Sequence, residues 1–177
     1  PIPETRQYIA CDTLLLSVGL LPENELTKSA GITLDRVTGG APVDQNRQTE
    51  IEGIYACGNV LHVHDLVDYV SEEADIAGRA AAEYINGKGK GSRDIALVTD
   101  SKVRYTVPQR ISADENVTVY FRVSDVYRDI KIVVRDGDRV LISKKKQKVA
   151  PGEMESVTIK AEALEDVKEL LVSLEVV

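Results

Sequence analysis

Hydrophobic and polar positions divide the chain into two parts that differ in period. In the first part, residues 14–18 carry no charge and lie within a long apolar run, as expected for a strand buried on both faces of a parallel sheet. A second apolar strand is predicted at 54–57 and a brief one at 32–34. The two longer strands each stop at a glycine, Gly19 and Gly58. These features predict an α/β fold for the first part.

Helical spacing occurs twice in this part. A short helical turn is predicted after Pro22. The strongest helical signal lies at 68–87, where apolar residues that are mostly very small recur on one face. Ser71 is the candidate N-cap of this helix, and Gly87 follows its expected end. A face of small side chains lets backbones approach closely, which suits a helix that lies on a sheet or against a flat cofactor.

A change of composition separates the two parts. Residues 87–93, GKGKGSR, are typical of a flexible, solvated linker. They do not form a dinucleotide-binding loop, because they follow a helix and have Ser92 in place of the third glycine. Beyond them the period becomes two, and short strands rich in Val, Ile and Tyr are predicted at 102–107, 117–123, 130–135, 140–143, 156–161 and 170–176.

The strands of the second part follow one another without an intervening helix, which predicts an antiparallel, immunoglobulin-like β-sandwich. The expected organisation is a partial α/β domain at 1–90, a linker at 91–100 and an all-β sandwich at 101–177. Because the linker has few groups able to fix the sandwich to the first part, the sandwich is expected to fold on its own.

Charge and cysteine content exclude several classes of protein. The formal net charge of −7 argues against a dedicated nucleic-acid binder, which needs a clustered excess of Lys and Arg. No apolar run approaches the roughly 20 residues that cross a bilayer, and no signal-peptide leader is seen. Cys11 and Cys57 form no C-x-x-C pair, so neither a metal knuckle nor a local redox disulfide is expected. These features predict a cytoplasmic protein.

The segment at 49–60, TEIEGIYACGNV, has the pattern of a ligand-binding turn. A polar approach leads to a glycine turn at Gly53 and then to the buried strand at 54–57. Gly58 follows, where a ligand or a helix must come close. Asn59 then lies at the carboxyl end of the strand, where open α/β sheets bind their ligands.

This segment resembles the second flavin-binding motif of the FAD-dependent pyridine nucleotide-disulfide oxidoreductases, which typically ends in Gly-Asp. The stretch at 11–24, CDTLLLSVGLLPEN, is similar to the Gly-x-x-Pro segment by which the chain in that family returns from the NAD domain to the FAD domain. The helix at 68–85 matches the family's helix whose N-terminus points at the flavin. The resemblance spans residues 8–86 and identifies 1–90 as the C-terminal portion of a Rossmann-like FAD/NAD(P)-binding domain.

The resemblance implies FAD as cofactor and NADH or NADPH as electron donor. Asn59, which replaces the usual Asp, would contact the ribityl chain or pyrophosphate, and Gly58 would give the cofactor room. An amide keeps one acceptor and adds two donors. The first-turn amides of the helix would face the flavin. The implied cofactor-binding positions are Gly19, Pro22, Gly58, Asn59, Val60, Asp68, Tyr69 and Val70.

The family's first FAD fingerprint and its NAD domain have no counterpart in this sequence. The resemblance therefore implies a C-terminal fragment of a longer flavin oxidoreductase, inactive in isolation, and leaves the catalytic residues and the electron acceptor unidentified. The implied partners are the missing N-terminal FAD/NAD portion and a partner oxidoreductase subunit, as in small oxidoreductases that accompany a glycerol-3-phosphate-dehydrogenase-like subunit. Uncovered apolar surface is expected to cause self-association. The rival hypothesis is a non-catalytic scaffold whose β-sandwich docks a partner subunit.

Several residues have a structural interpretation beside a functional one. Cys57 is predicted to be a small core residue rather than a nucleophile. His62 and His64 could form a two-histidine metal site, but the sequence offers no third ligand, so no metal is expected and an approach to the flavin is the favoured role. The basic cluster around Lys144 is interpreted as a solvated strand edge, with an anionic partner as the alternative.

Overall fold

The computed structural model describes residues 2–88 and 93–176. Two α-helices, α1 (Glu25–Ser29) and α2 (Val67–Ile85), lie in the first half. The strands of the described second half are β1 (Ile95–Thr99), β2 (Val103–Val107), β3 (Arg110–Ile111), β4 (Val117–Val123), β5 (Tyr127–Asp136), β6 (Arg139–Val149), β7 (Glu155–Ile159) and β8 (Glu169–Val176). Short 3-10 turns occur at Pro3–Thr5, Gly58–Val60 and Ala161–Ala163.

The second half consists of two sheets that share one hydrophobic core. The larger sheet has the order β3-β1-β8-β5-β6 and the smaller one β2-β4-β7. Phe121 of the smaller sheet and Ile132 and Leu174 of the larger sheet are buried in the same cluster. The larger sheet is mixed, because β1 runs parallel to β8, so the expectation of a wholly antiparallel sandwich is wrong. The immunoglobulin-like topology stays a prediction.

Strand β1 lies within the stretch 91–100 that the sequence assigns to a linker. It pairs with β8 on one side and with the short strand β3 on the other, so the sheet begins before the expected boundary at 101. Strand β1 has only five residues and directly follows a Gly- and Lys-rich stretch. Its hydrophobic pattern is too short to distinguish it from the predicted linker. Residues 89–92 of the predicted linker lie outside the described residues.

The predicted strand at 14–18 does not form. Residues 6–21, here called the N-terminal segment, contain no helix or strand and are exposed throughout, and Leu15 and Val18 are each 89% exposed. A strand buried on both faces needs neighbours that pair with its backbone and cover its side chains, and no described strand does so. The prediction at 54–57 yields only an isolated bridge between Gln48 and Tyr55, and 32–34 is not a strand.

The two helices are found where the pattern indicates them. Helix α2 begins at Val67, so Ser71 is not its N-cap; the Ser71 hydroxyl instead donates to the Val67 carbonyl at 3.3 Å. The helix ends at Ile85 with Asn86 as its C-cap, and Gly87 adopts the left-handed conformation typical of a helix stop. No helix in the ranges 2–88 and 93–176 is long and apolar enough to span a membrane.

The first half packs against the second through both apolar and polar contacts. Val107 of β2 belongs to the small core of the first half, beside Val43 and Leu61. The Gln45 side chain bonds to both the hydroxyl and the amide of Ser112. The two halves are therefore joined by contacts outside the predicted linker. Whether the second half folds alone stays a prediction.

The exposed N-terminal segment generates a prediction about association. We expect the chain to self-associate through this segment, most simply as a two-fold dimer, because that symmetry lets one apolar patch cover itself. The double variant Leu15→Lys/Leu16→Lys should be monomeric in sedimentation velocity, whereas Lys145→Glu on β6 should leave association unchanged. Both sites are exposed, so neither substitution disturbs the core. A monomeric unmodified chain at its highest soluble concentration would contradict the prediction.

Candidate functional site

Residues 57–66, here called the 57–66 loop, connect the second predicted strand to helix α2. The loop makes a 3-10 turn at Gly58–Val60 and then runs to Leu66, which precedes the helix. Gly58 has φ +71°, and a Cβ built on it would lie 3.3 Å from Cγ1 of Val70. A side chain at position 58 would therefore be strained and would push against the first turns of α2. The glycine allows the loop to lie against the helix N-terminus.

The Glu73 carboxylate fixes this loop to the helix. Its side chain is fully buried. Oε1 accepts hydrogen bonds from Nε of Arg47 at 3.2 Å and Nε2 of His62 at 2.9 Å. Oε2 accepts from the Gly58 amide and from Nε2 of His64, both at 2.9 Å. Because an ionised carboxylate only accepts, both imidazoles are assigned as the tautomers with hydrogen on Nε2. Arg47, His62, His64 and Glu73 are called the Glu73 cluster.

The electrostatics of the cluster favour an ionised Glu73 and a neutral His62. Burial by itself would raise the pKa of Glu73, but the hydrogen bonds from His62 and His64 and the charge of Arg47 outweigh burial and hold it well below its usual range. For His62, burial lowers the pKa in spite of the bond to Glu73. The Arg47 guanidinium therefore compensates the charge of the Glu73 carboxylate.

The sequence does not single out Arg47. It lies in the polar stretch that precedes the turn at Gly53, yet it is 1% exposed. Its backbone is left-handed, with φ +63°, a conformation uncommon for residues other than glycine. Nη1 donates to the Gln45 carbonyl at 3.1 Å, and the guanidinium carbon lies 5.9 Å from the ring centre of Tyr120. The turn at Arg47 thus directs a long cationic side chain into the interior.

Two further contacts fix the shape of the loop. Asn24 donates from its side-chain amide to the carbonyls of Val60 at 2.7 Å and Gly39 at 2.9 Å. Gly40 approaches the loop so closely that a Cβ would lie 1.9 Å from the Leu61 carbonyl oxygen, so no other residue fits there. Irregular backbone is therefore held in one conformation without strand pairing.

Asn59 is oriented by the same loop. Its Oδ1 accepts from the His64 amide at 3.1 Å, which leaves the two donors of the side-chain amide for solvent or a ligand. The residue itself is exposed. Helix α2 begins nearby without a side-chain cap, so the amides of its first turn are also free of a capping side chain.

The structure brings together most, but not all, of the residues that the sequence assigns to cofactor binding. Gly58 contacts Val70, and Asn59 and Val60 lie in the turn beside them. The Tyr69 ring lies 6.2 Å from that of His64, and Asp68 is exposed in the first turn. Pro22 packs near Gly39. Gly19 is the exception, because it lies in the exposed N-terminal segment with nothing around it.

His62, His64 and Glu73 supply the three-residue metal set that the sequence lacked. Their ligand atoms lie within 4.8 Å of one another, and they are the one such group in the part of the chain that the structure describes. However, four donors already satisfy the carboxylate. A cation would have to displace the hydrogens on both Nε2 atoms and would lie close to the positive Arg47. The geometry is therefore that of a hydrogen-bonded cluster.

Cys57 and a cavity beside helix α2 have no evident role in this arrangement. Burial, together with the nearby Glu73 charge, raises the pKa of the Cys57 thiol, which favours the interpretation as a packing residue over a nucleophile. A polar cavity of about 450 Å³ lies between α2 and β4, lined by Glu72, Arg79 and Tyr120 among others. Neither Gly58 nor Asn59 lines it.

The cluster predicts a specific loss of stability. Glu73→Gln should lower the free energy of unfolding by about 3–5 kcal/mol, because it leaves the buried Arg47 charge unpaired. Urea denaturation near neutral pH measures the loss. Glu83→Gln, on the exposed side of the same helix, is the matched control and should change little. Equal stability of the two variants would contradict the role given to Glu73.

The same cluster predicts a loss of stability in acid. The folded chain holds the pKa of both His62 and Glu73 below their ordinary values of 6.5 and 4.5, so the unfolded chain binds more protons as the pH falls. Stability should decrease below about pH 6.5 through His62 and again below about pH 4.5 through Glu73. Urea midpoints measured across this range should show that Glu73→Gln loses the second decrease.

The family comparison matches the half of the chain that holds the Glu73 cluster. Residues 2–82 match the family model described as pyridine nucleotide-disulphide oxidoreductase. Over 56 residues the chain is 39% identical to a nitrite reductase [NAD(P)H] of Neurospora crassa, an overlap that covers 31% of this chain and 5% of that protein. No solved structure matches. Residues 2–82, with the 57–66 loop and helix α2, are therefore similar to the pyridine nucleotide-disulphide oxidoreductase family.

Proposed function

We propose that this chain is the C-terminal part of a flavin-dependent NAD(P)H oxidoreductase and that the 57–66 loop and the first turn of α2 hold the flavin side of FAD. The observation that carries the proposal is the fixed turn at Gly58–Val60, which the Glu73 cluster holds beside an uncapped helix N-terminus. The family match of residues 2–82 supports a flavin and a pyridine nucleotide in general. The chain spans only 5% of the length of the curated relative.

The residues present fit such a cofactor. Gly58 has no Cβ at the surface where the loop meets the helix, and the donors of Asn59 are exposed beside it. Uncapped first-turn amides of a 19-residue helix favour negative charge and accept oxygen atoms of a ligand. Gly19 lies in the exposed N-terminal segment, with no atom within 4 Å of a Cβ built on it, so we assign it no contact with the cofactor. We propose that this segment pairs with the N-terminal FAD/NAD portion of the longer enzyme.

Bound FAD would accept hydride from NADH or NADPH and pass electrons to an acceptor. The residues of this chain would bind the cofactor and orient it. Asn59 donates from its amide while its Oδ1 holds the His64 backbone, and the helix dipole stabilises negative charge at the first turn of α2. The pairing of Glu73 with Arg47 matters here, because an unpaired carboxylate two turns into the helix would oppose that stabilisation.

The first test of the proposal is flavin retention. The protein purified with its natural upstream sequence should show visible flavin absorption. The 177-residue chain alone should neither retain FAD nor oxidise NADH, because the glycine loop that binds the adenosine and pyrophosphate side is not in this sequence. Stoichiometric FAD on the isolated chain would contradict the fragment hypothesis. Absence of flavin from the longer protein would favour a scaffold whose second half docks a partner subunit.

Asn59 provides the second test. Asn59→Ala removes both the loop acceptor and the ligand donors, so FAD affinity in the longer protein should fall about tenfold, the equivalent of one good hydrogen bond. Asn59→Asp keeps the acceptor for the His64 amide and restores the residue usual in the family, so its affinity should stay close to that of the unmodified protein. Gln147→Ala, exposed on β6, is the control. Unchanged affinity in Asn59→Ala would contradict the role of the residue.

A further inference from the structure

The second half of the chain makes its own contacts with the 57–66 loop. Arg122 of β4 donates from Nη2 to the Val63 carbonyl at 3.0 Å and to Oδ1 of Asp65 at 3.3 Å. Its Nη1 donates to the Pro151 carbonyl at 3.0 Å, within the second half. The side chain is 14% exposed. One guanidinium therefore connects the loop to two separate points of the second half.

A second contact fixes the same part of the loop. Oδ2 of Asp65 accepts from the Met154 amide at 3.2 Å, so both carboxylate oxygens of Asp65 bond to the second half. Nearby, the Tyr105 hydroxyl lies 3.4 Å from Nδ1 of His62, on the side of the imidazole opposite to Glu73. The loop is thus held from the helix side by Glu73 and from the other side by groups on β2, β4 and the turn that precedes β7.

We propose that Arg122 is a positioning residue for the 57–66 loop. The second half of the chain would therefore contribute to the flavin site by holding this loop in place. This rests on the function proposed above. Strand pairing does not fix the loop, whose conformation depends on side-chain and amide contacts from both halves. Loss of Arg122 would free the Val63–Asp65 backbone, and with it the turn that presents Asn59.

The chemistry of the contact favours arginine over lysine. Three oxygen acceptors on two separate segments are met by the planar fork of one guanidinium. A lysine ammonium can reach one of these acceptors but has no second nitrogen for the others. Arg122→Lys should therefore restore only part of what Arg122→Met loses.

Hydrogen–deuterium exchange on this chain tests positioning without any flavin. Arg122→Met should raise amide exchange across residues 60–66 by about tenfold or more, Arg122→Lys by less, while the amides of β5 and β8 keep their protection. Arg128→Met, an exposed arginine on β5, is the matched control and should leave the loop unchanged. Unchanged exchange at 60–66 in Arg122→Met would overturn the proposal.

Flavin properties of the longer protein provide the second readout. Arg122→Met should weaken FAD binding by about tenfold and shift the reduction potential and visible spectrum of the bound flavin, with partial recovery in Arg122→Lys. Faster exchange at 60–66 with FAD affinity and potential unchanged would overturn the proposal that this loop serves the flavin. Absence of flavin from the unmodified longer protein would instead overturn the proposed function, whatever the exchange result.

Discussion

The buried carboxylate of Glu73 is the constraint on which the arrangement of the first half depends. It accepts four hydrogen bonds, from a guanidinium, two imidazoles and a backbone amide. A carboxylate placed in an interior without such partners would cost several kcal/mol or take up a proton. Since one donor lies in the polar turn at Arg47 and three lie in the 57–66 loop, the carboxylate forms its bonds only when that turn, the loop and helix α2 come together.

This explains how a region with little regular structure can have a definite shape. The small apolar core around Val43 and Leu61 is limited, and the described residues of the first half contain no multi-residue strand. The backbone is instead held by the hydrogen bonds to Glu73, by the hydrogen bonds that the Asn24 side-chain amide donates, and by the close approach of Gly40. These contacts do what strand pairing does in a sheet. The second half completes the arrangement, because Arg122 and the Met154 amide hold the loop from the opposite side.

The sequence predicts those elements whose pattern is local. Strand β4 is found at its predicted bounds, and α2 begins one residue before its predicted start. Both elements could be predicted because alternation and helical spacing can be detected within a short stretch of sequence. The run at 14–18 has the composition of a buried strand, but burial also requires neighbouring strands that its own residues cannot specify. Its exposure shows that composition indicates only a tendency to form a buried strand, and that neighbouring strands determine whether the strand forms.

The site was predictable only in outline. Gly58, Asn59 and the histidines could be selected from the sequence because they lie close together in a recognisable motif. The hydrogen bond between Arg47 and Glu73 joins residues 26 positions apart. Nothing in the polar sequence around Arg47 indicates that its side chain is buried. Its left-handed backbone and its burial are properties of the folded chain alone.

The most direct measurement of the central claim is the hydrogen placement on the two imidazoles, read by long-range proton–nitrogen NMR of the folded chain. His62 should appear near neutral pH as the neutral tautomer with hydrogen on Nε2, and His64 should also carry hydrogen on Nε2. Both of these hydrogens should exchange slowly because they bond to a buried carboxylate. Imidazoles without hydrogen on Nε2, or with rapidly exchanging Nε2 hydrogens, would contradict the account.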